Sequence, residues 1–250
     1  MHASVKNIGK TLVPLRVRVW VANYLARRLT LKPIAPRQCP VCDFHGWFDR
    51  FGRPPRLDAL CPRCGSLERH RLLFLAMTRG VITEGIDEAT DPVLHFAAEP
   101  QLERIFRERF GNYKTADLFE KADLKINLEE MDLPDGKFRL IIANHVLEHV
   151  DDFKASSEIA RILTDDGILV AMVPIVEGWE TSYENPEITD ETGRWLHFGQ
   201  GDHVRYYGRD FSDRIERGGL KLKHEITAEG SDVVTYGLAR GEKVFVFGKR

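Results

Sequence analysis

Phe138-Arg139-Leu140-Ile141-Ile142-Ala143-Asn144-His145-Val146-Leu147-Glu148-His149-Val150 is the stretch that decides the fold. Leu140, Ile141 and Ile142 form an apolar run without alternation, which predicts a strand covered on both faces, as in a parallel sheet with helices above and below. Polar chemistry then begins abruptly. Asn144, His145, Glu148 and His149 follow the carboxyl end of that strand, where open α/β sheets place their ligands. Polar residues at a strand end can equally cap a helix, and the surrounding chain has to separate the two readings.

Working outward, short apolar runs alternate with helical segments from about residue 91 onward, the pattern of βαβ units. Strands are predicted at residues 93–96, 113–117, 124–127, 139–143, 168–173, 221–226 and 244–248, with helices at 101–110, 152–163 and 208–217. The last two strands are expected to be joined by a loop through Gly230 and Gly237 and to pair antiparallel at the sheet edge.

The amino-terminal part has a different character. Its four cysteines are the only ones in the chain, arranged as Cys39-Pro40-Val41-Cys42 and Cys61-Pro62-Arg63-Cys64. Two Cys-x-x-Cys knuckles at this separation let four thiolates converge on one zinc ion, and an all-cysteine site has no open position for substrate, so the metal would be structural. Phe44, Trp47, Phe48 and Phe51 between the knuckles are expected to cover the metal or dock the ribbon. After the second knuckle, Ser66 is placed to cap a helix running to Met77, with His70 read as a surface residue.

At 250 residues, with 43% hydrophobic and 30% charged, the chain can bury one full core plus a small module and is not disordered. Residues 1–38 hold eight Lys or Arg and no Asp or Glu, so the remainder is more acidic than the net charge of −2 suggests. That argues against a broad nucleic-acid face. The apolar run of the leader is interrupted by Arg16 and Arg18, too short and charged to span a bilayer. It lacks the features of a secretory signal, and the expected location is cytoplasmic. Two readings suit the leader: an amphipathic helix touching an anionic membrane surface, or a helix packed on the body.

The ordered combination of strand, helix, Asp117, Asn127, Phe138 to Val150 and Ile162-Leu163-Thr164-Asp165-Asp166-Gly167-Ile168-Leu169-Val170 resembles the class I S-adenosylmethionine-dependent methyltransferases. The resemblance covers roughly residues 91–250. It implies a Rossmann-like seven-stranded sheet, mostly parallel with the last strand antiparallel. The expected organisation is a basic leader at 1–36, a zinc ribbon at 37–66, a connecting helix at 67–90 and the methyltransferase domain at 91–250.

Carried over residue by residue, the resemblance implies that His95, Phe96, Ala97, Ala98 and Glu99 stand where the family has its glycine-rich first motif. No glycine is present, so close approach of the cofactor survives while a positive φ becomes costly. Asp117, followed by Leu118, matches the acidic residue that binds the ribose hydroxyls. Asn127, followed by Leu128, stands where an Asp often accepts from the adenine amino group. Asn144 and His145 would line the methionine portion and the methyl-transfer gap.

Methyl transfer mainly requires alignment, with a general base if the acceptor is a hydroxyl. Histidine suits that role, and the candidates are His145, His149, His197 and His203, with His203 beside Asp202 favoured. Acceptor binding is assigned to Arg194, Trp195, His197, Gln200, Asp202, His203, Arg205 and Tyr207, with Trp179 and Tyr183 on the preceding loop. A small-molecule or saccharide acceptor is expected. The alternatives are an RNA methyltransferase gripping RNA through the ribbon, and a scaffold that has lost the cofactor.

Overall fold

The computed structural model describes residues 14, 16–21, 32–52 and 54–250. Of the leader, residues 16–21 are helical, with Val17, Val19 and Trp20 exposed; the rest of the amphipathic-leader expectation lies outside the described residues. No helix among the described residues is long and apolar enough to cross a membrane.

Four short strands build the ribbon: β1 (Pro36–Gln38) pairs antiparallel with β2 (His45–Trp47), and β3 (Asp49–Phe51) with β4 (Arg56–Leu60). The helix α1 (Glu68–Thr78) leads from it to the main sheet. Then follow β5 (Val93–Phe96), α2 (Pro100–Arg109), β6 (Tyr113–Asp117), β7 (Leu124–Lys125) and β8 (Phe138–Asn144). A single 3-10 turn over Leu147–His149 precedes α3 (Asp152–Ile162), which runs directly into β9 (Leu163–Met172). The remainder is β10 (Tyr183–Glu184), α4 (Glu191–Phe198), β11 (Arg205–Tyr206), α5 (Phe211–Glu216), β12 (Leu220–Thr227), α6 (Gly230–Tyr236) and β13 (Lys243–Lys249).

The seven-stranded sheet has the order β12-β13-β9-β8-β5-β6-β7, with β13 antiparallel to both its neighbours and the rest parallel. Alternate residues of β8 serve opposite cores. Ile141 and Ala143 join Ala155 and Ile159 of α3 on one face, while Leu140 and Ile142 join Leu73 of α1 and Phe106 of α2 on the other. Each of the Leu, Ile and Phe side chains contributes roughly 1.5–3 kcal/mol on burial. Asp151 caps α3, its carboxylate accepting from the backbone N–H of Phe153 and Lys154. At the entry to β9, a Cβ on Gly167 would stand 2.9 Å from the Thr164 carbonyl, so only glycine permits that approach.

Three local expectations are corrected. The segment between β12 and β13 is a helix, α6, with Gly237 at φ +60 ending it; the two glycines read as loop signals are a helix start and a C-terminal stop. An unanticipated helix, α4, lies between Asp190, whose carboxylate accepts from Gly193 N–H, and Gly199 at φ +77. Ser66 does not cap α1. Its hydroxyl lies 3.3 Å from Cys39 Sγ and 3.2 Å from Cys64 Sγ, and the cap residue is Leu67.

His70 is likewise no surface residue. It is 2% exposed, its Nδ1 accepts from Leu67 N–H, and its Nε2 lies 2.7 Å from Glu99. Arg71 beside it is fully buried, and its guanidinium donates to the carbonyls of Ala59, Ser66, Tyr236 and Gly237. One side chain thus joins the ribbon, α1 and the end of α6.

Candidate active site

The carboxyl ends of β5, β6 and β8 open onto a cavity of about 420 Å³. Phe96, Ala97, Asp117, Asn127 and His145 line it, as do Leu118 and Leu128. Two of these residues hold an unusual backbone: Ala97 has φ +47 and His145 has φ +53. Such conformations are costly for residues with a Cβ and concentrate at functional sites. Each is pinned by a sheet hydrogen bond, from Ala97 N–H to Ala116 and from His145 N–H to Met172. The chain keeps the turn expected of glycine while using alanine.

Asp117 Oδ1 accepts from the N–H groups of Phe119 and Glu120, at 2.7 and 2.8 Å, which fixes the carboxylate at the end of β6. Asn127 Oδ1 accepts from Glu129 N–H. Asn144 is buried, and neither atom of its amide has a hydrogen-bond partner among the described residues.

The structure departs from the expected cofactor motif at three of its residues, His95, Ala98 and Glu99. His95 faces the opposite side of the sheet from Leu94 and Phe96, because strand side chains alternate; its Nδ1 lies 2.7 Å from the Tyr113 hydroxyl, and it packs on Phe106. Burial pushes its pKa down to about 3. Glu99 is committed to Arg69 and His70 of α1. Burial would raise its carboxyl, but hydrogen bonds from His70 and Arg69 outweigh that and bring it down to about 2. Ala98, partly buried between them, is not among the cavity-lining residues.

His145 is the wall between this cavity and a second, polar one of about 440 Å³. Arg56 of the ribbon, Glu68 and Arg69 of α1, and Gln200, Arg240 and Glu242 line the second cavity. The His145 ring lies between two carboxylates: Nδ1 is 3.3 Å from Glu148 Oε1, and Nε2 is 3.8 Å from Glu242 Oε1. Burial pushes the Glu242 carboxyl up. Neither ribbon nor Glu242 was placed here by the sequence, since nothing local to residue 242 marks it as a partner of residue 145.

The other histidines and the predicted acceptor segment divide. His149 and Asp202 line the first cavity, and Asp202 Oδ2 lies 3.3 Å from His149 Nδ1, so Asp202 partners His149 instead of the expected His203. The rings of His149 and His203 meet edge to face at 4.7 Å. His203 is buried, which lowers its pKa. Arg194 borders the first cavity and Gln200 the second. Tyr183 hydroxyl meets His197 Nδ1 at 2.8 Å, Trp179 packs edge-on against Tyr183 and Tyr206, and Trp195 is exposed.

Arg205 and Tyr207 require correction. Tyr207 is fully buried and donates to the Leu147 carbonyl; Arg205 donates to the carbonyls of Leu147 and Val150 and pairs with Glu184. Through Arg205 Nη1 and the Tyr207 hydroxyl they brace the turn carrying Glu148 and His149.

In the ribbon, Cys39 and Cys64 sulfurs are 3.6 Å apart and those of Cys42 and Cys61 3.7 Å, with all four within 4.8 Å of one another. Tetrahedral zinc–thiolate bonds of about 2.3 Å place sulfurs roughly 3.8 Å apart, so the cluster fits such an ion. Of the four covering aromatics, Phe48 is buried against the cysteines and Phe44 partly so, while Trp47 and Phe51 are exposed.

Residues 83–171 match a family model described as a methyltransferase domain. The chain thus carries a methyltransferase domain. Its fold is similar to that of the 4+2 cyclase SpnF, with TM-score 0.50 and 12% identity over 74% of this chain and 83% of that one. It also aligns with Burkholderia thailandensis 1,6-didemethyltoxoflavin-N1-methyltransferase bound to S-adenosylhomocysteine, with TM-score 0.49 and 15% identity over 73% and 77% of the two chains. A putative methyltransferase in complex with the Haloferax volcanii Trm112 activator aligns with TM-score 0.47 and 12% identity over 69% and 87%. Comparison with curated proteins gives no match.

Proposed function

We propose that the methyltransferase transfers the methyl group of S-adenosylmethionine to a small-molecule or saccharide acceptor, with the cofactor in the 420 Å³ cavity and the acceptor in the polar cavity beyond His145. The observation that carries this reading is the single imidazole shared by two cavities, one at the strand ends and one lined by charged side chains. Asp117 would take the ribose hydroxyls, since one carboxylate can accept several donors. The Asn144 amide next to His145 is buried without a partner among the described residues, at a cost of about 1–3 kcal/mol, although Asn144 is not among the residues lining either cavity. A tetrahedral Zn2+ in the four-cysteine cluster would hold the ribbon in place, and with it Arg56 at the acceptor cavity.

For a hydroxyl acceptor the step is an in-line displacement. His145 Nε2, which has no hydrogen-bond partner among the described residues, takes the acceptor proton. The oxygen pair forms the new bond to the methyl carbon, and the carbon–sulfur pair stays on sulfur. Glu148 Oε1, 3.3 Å from Nδ1, holds the ring in position. The test is calorimetric titration of the zinc-loaded protein with S-adenosylmethionine and with its demethylated product. Micromolar binding that Asp117→Ala weakens at least tenfold supports the reading; no binding of either ligand to the wild-type protein overturns it in favour of a scaffold.

A further inference from the structure

Glu148, His149 and His203 present one carboxylate oxygen and two imidazole nitrogens within 4.8 Å of one another. This cluster lies apart from the four cysteines and beside the cofactor cavity, which His149 and its neighbour Asp202 line. Glu148 is only 2% exposed, and while Oε1 faces His145, Oε2 is buried with no hydrogen-bond partner among the described residues. An ionised oxygen left so is expensive unless a cation or donor meets it. His149 and His203 meet with planes at 90° and offer no carboxylate of their own to fill the space between them. The backbone is fixed around the cluster: the carbonyl of Glu148 accepts from Val204 N–H at 2.9 Å, which ties residue 203 to residue 148.

We propose that Glu148, His149 and His203 bind a divalent first-row transition cation at the methyl-transfer gap. Two neutral imidazoles and one carboxylate are the donor set of open metal sites, in which three protein ligands leave positions for an exogenous oxygen. Bonds of about 2.1 Å bring ligand atoms to roughly 3.0–3.5 Å from one another, so small side-chain rotations close the present spacing. Asp202, 3.3 Å from His149 Nδ1, is positioned to orient that ring as an outer partner or to add a fourth oxygen.

Cation binding itself does not depend on the proposed reaction; its chemical use rests on that reading. A cation here would lie on the cofactor side of His145, where His149 lines the cavity. Glu148 would then serve two groups with one carboxylate, His145 through Oε1 and the cation through Oε2, so that the cation fixes the ring standing between the two cavities.

The experiment is equilibrium dialysis of the full chain against Zn2+, with metal analysis, alongside calorimetry with S-adenosylmethionine. The wild-type protein should hold two Zn2+ per chain. Cys61→Ser should lose one, and His149→Gln, at a partly exposed position, should lose the other while the ribbon stays loaded. Glu148→Gln and His203→Ala should do the same, with thermal unfolding of each variant reporting whether the fold survives. One equivalent in the wild-type protein, or two retained in a folded His149→Gln, overturns the proposal. Cofactor binding without the second cation would sink the metal site and leave the methyl-transfer reading standing; a second cation without cofactor binding would do the reverse.

Discussion

Replacing Ala97 by glycine should stabilise the protein, against the usual direction of such a change. Ala97 sits at φ +47, where a Cβ costs about 1–2 kcal/mol. Glycine removes that cost but adds about 0.4–1 kcal/mol of unfolded-state entropy to be lost on folding. The net expectation for Ala97→Gly is a gain of about 0.5–1 kcal/mol. Ala98, which is not among the positive-φ residues, provides the control. Ala98→Gly carries only the entropic loss and should cost about 0.5–1 kcal/mol. At roughly 2–4 °C per kcal/mol for a chain of this size, the two variants should separate by about 2–8 °C in thermal unfolding. Urea titration at fixed metal loading would give the same order. If both substitutions lower stability equally, the alanine is not strained and the account of this turn is wrong.

Three further outcomes follow from the same geometry. His95 is held neutral with a pKa of about 3 against an ordinary 6.5, so between those values the unfolded chain binds a proton that the folded one does not. Stability should therefore fall as pH drops below 6.5, by about 1.4 kcal/mol per pH unit from this group, and urea unfolding at pH 6.5 and 5 should show a shallower loss in His95→Gln. Cys61→Ser should remove one equivalent of zinc by metal analysis and lower the unfolding temperature, since the cysteines form most of the ribbon core. Tyr207→Phe leaves the Leu147 carbonyl and Asp152 with one donor fewer, and denaturant unfolding should show a loss of about 1–2 kcal/mol.

The sheet was legible because its central strands β5, β8 and β9 carry short apolar runs, and the site's location because polar residues begin where the run of β8 ends. Cys39, Cys42, Cys61 and Cys64 were legible from spacing alone. What stayed hidden depends on partners remote in sequence. His95 and His70 are polar residues buried among groups supplied by other elements, Tyr113 and Glu99. Arg205 and Tyr207 looked like ligand contacts because a donor-rich segment reads the same whether its donors meet a substrate or the carbonyls of a turn. Glu242 enters the site only because β13 inserts between β12 and β9, a consequence of strand order that no local pattern carries.

Arg71 bears on how the chain is made. Its guanidinium satisfies the carbonyls of Tyr236 and Gly237, separated from it by 165 and 166 positions. At ribosomal rates of about 5–20 residues per second, those acceptors emerge roughly 10–30 s after Arg71 does. Throughout that interval the helix behind the ribbon carries a charge with half its partners unsynthesised, so a segment translated before the sheet is finished only after it. A nascent chain stalled before residue 236 should leave α1 protease-sensitive even with its cysteines metallated, and release of the last residues should close it in a single step.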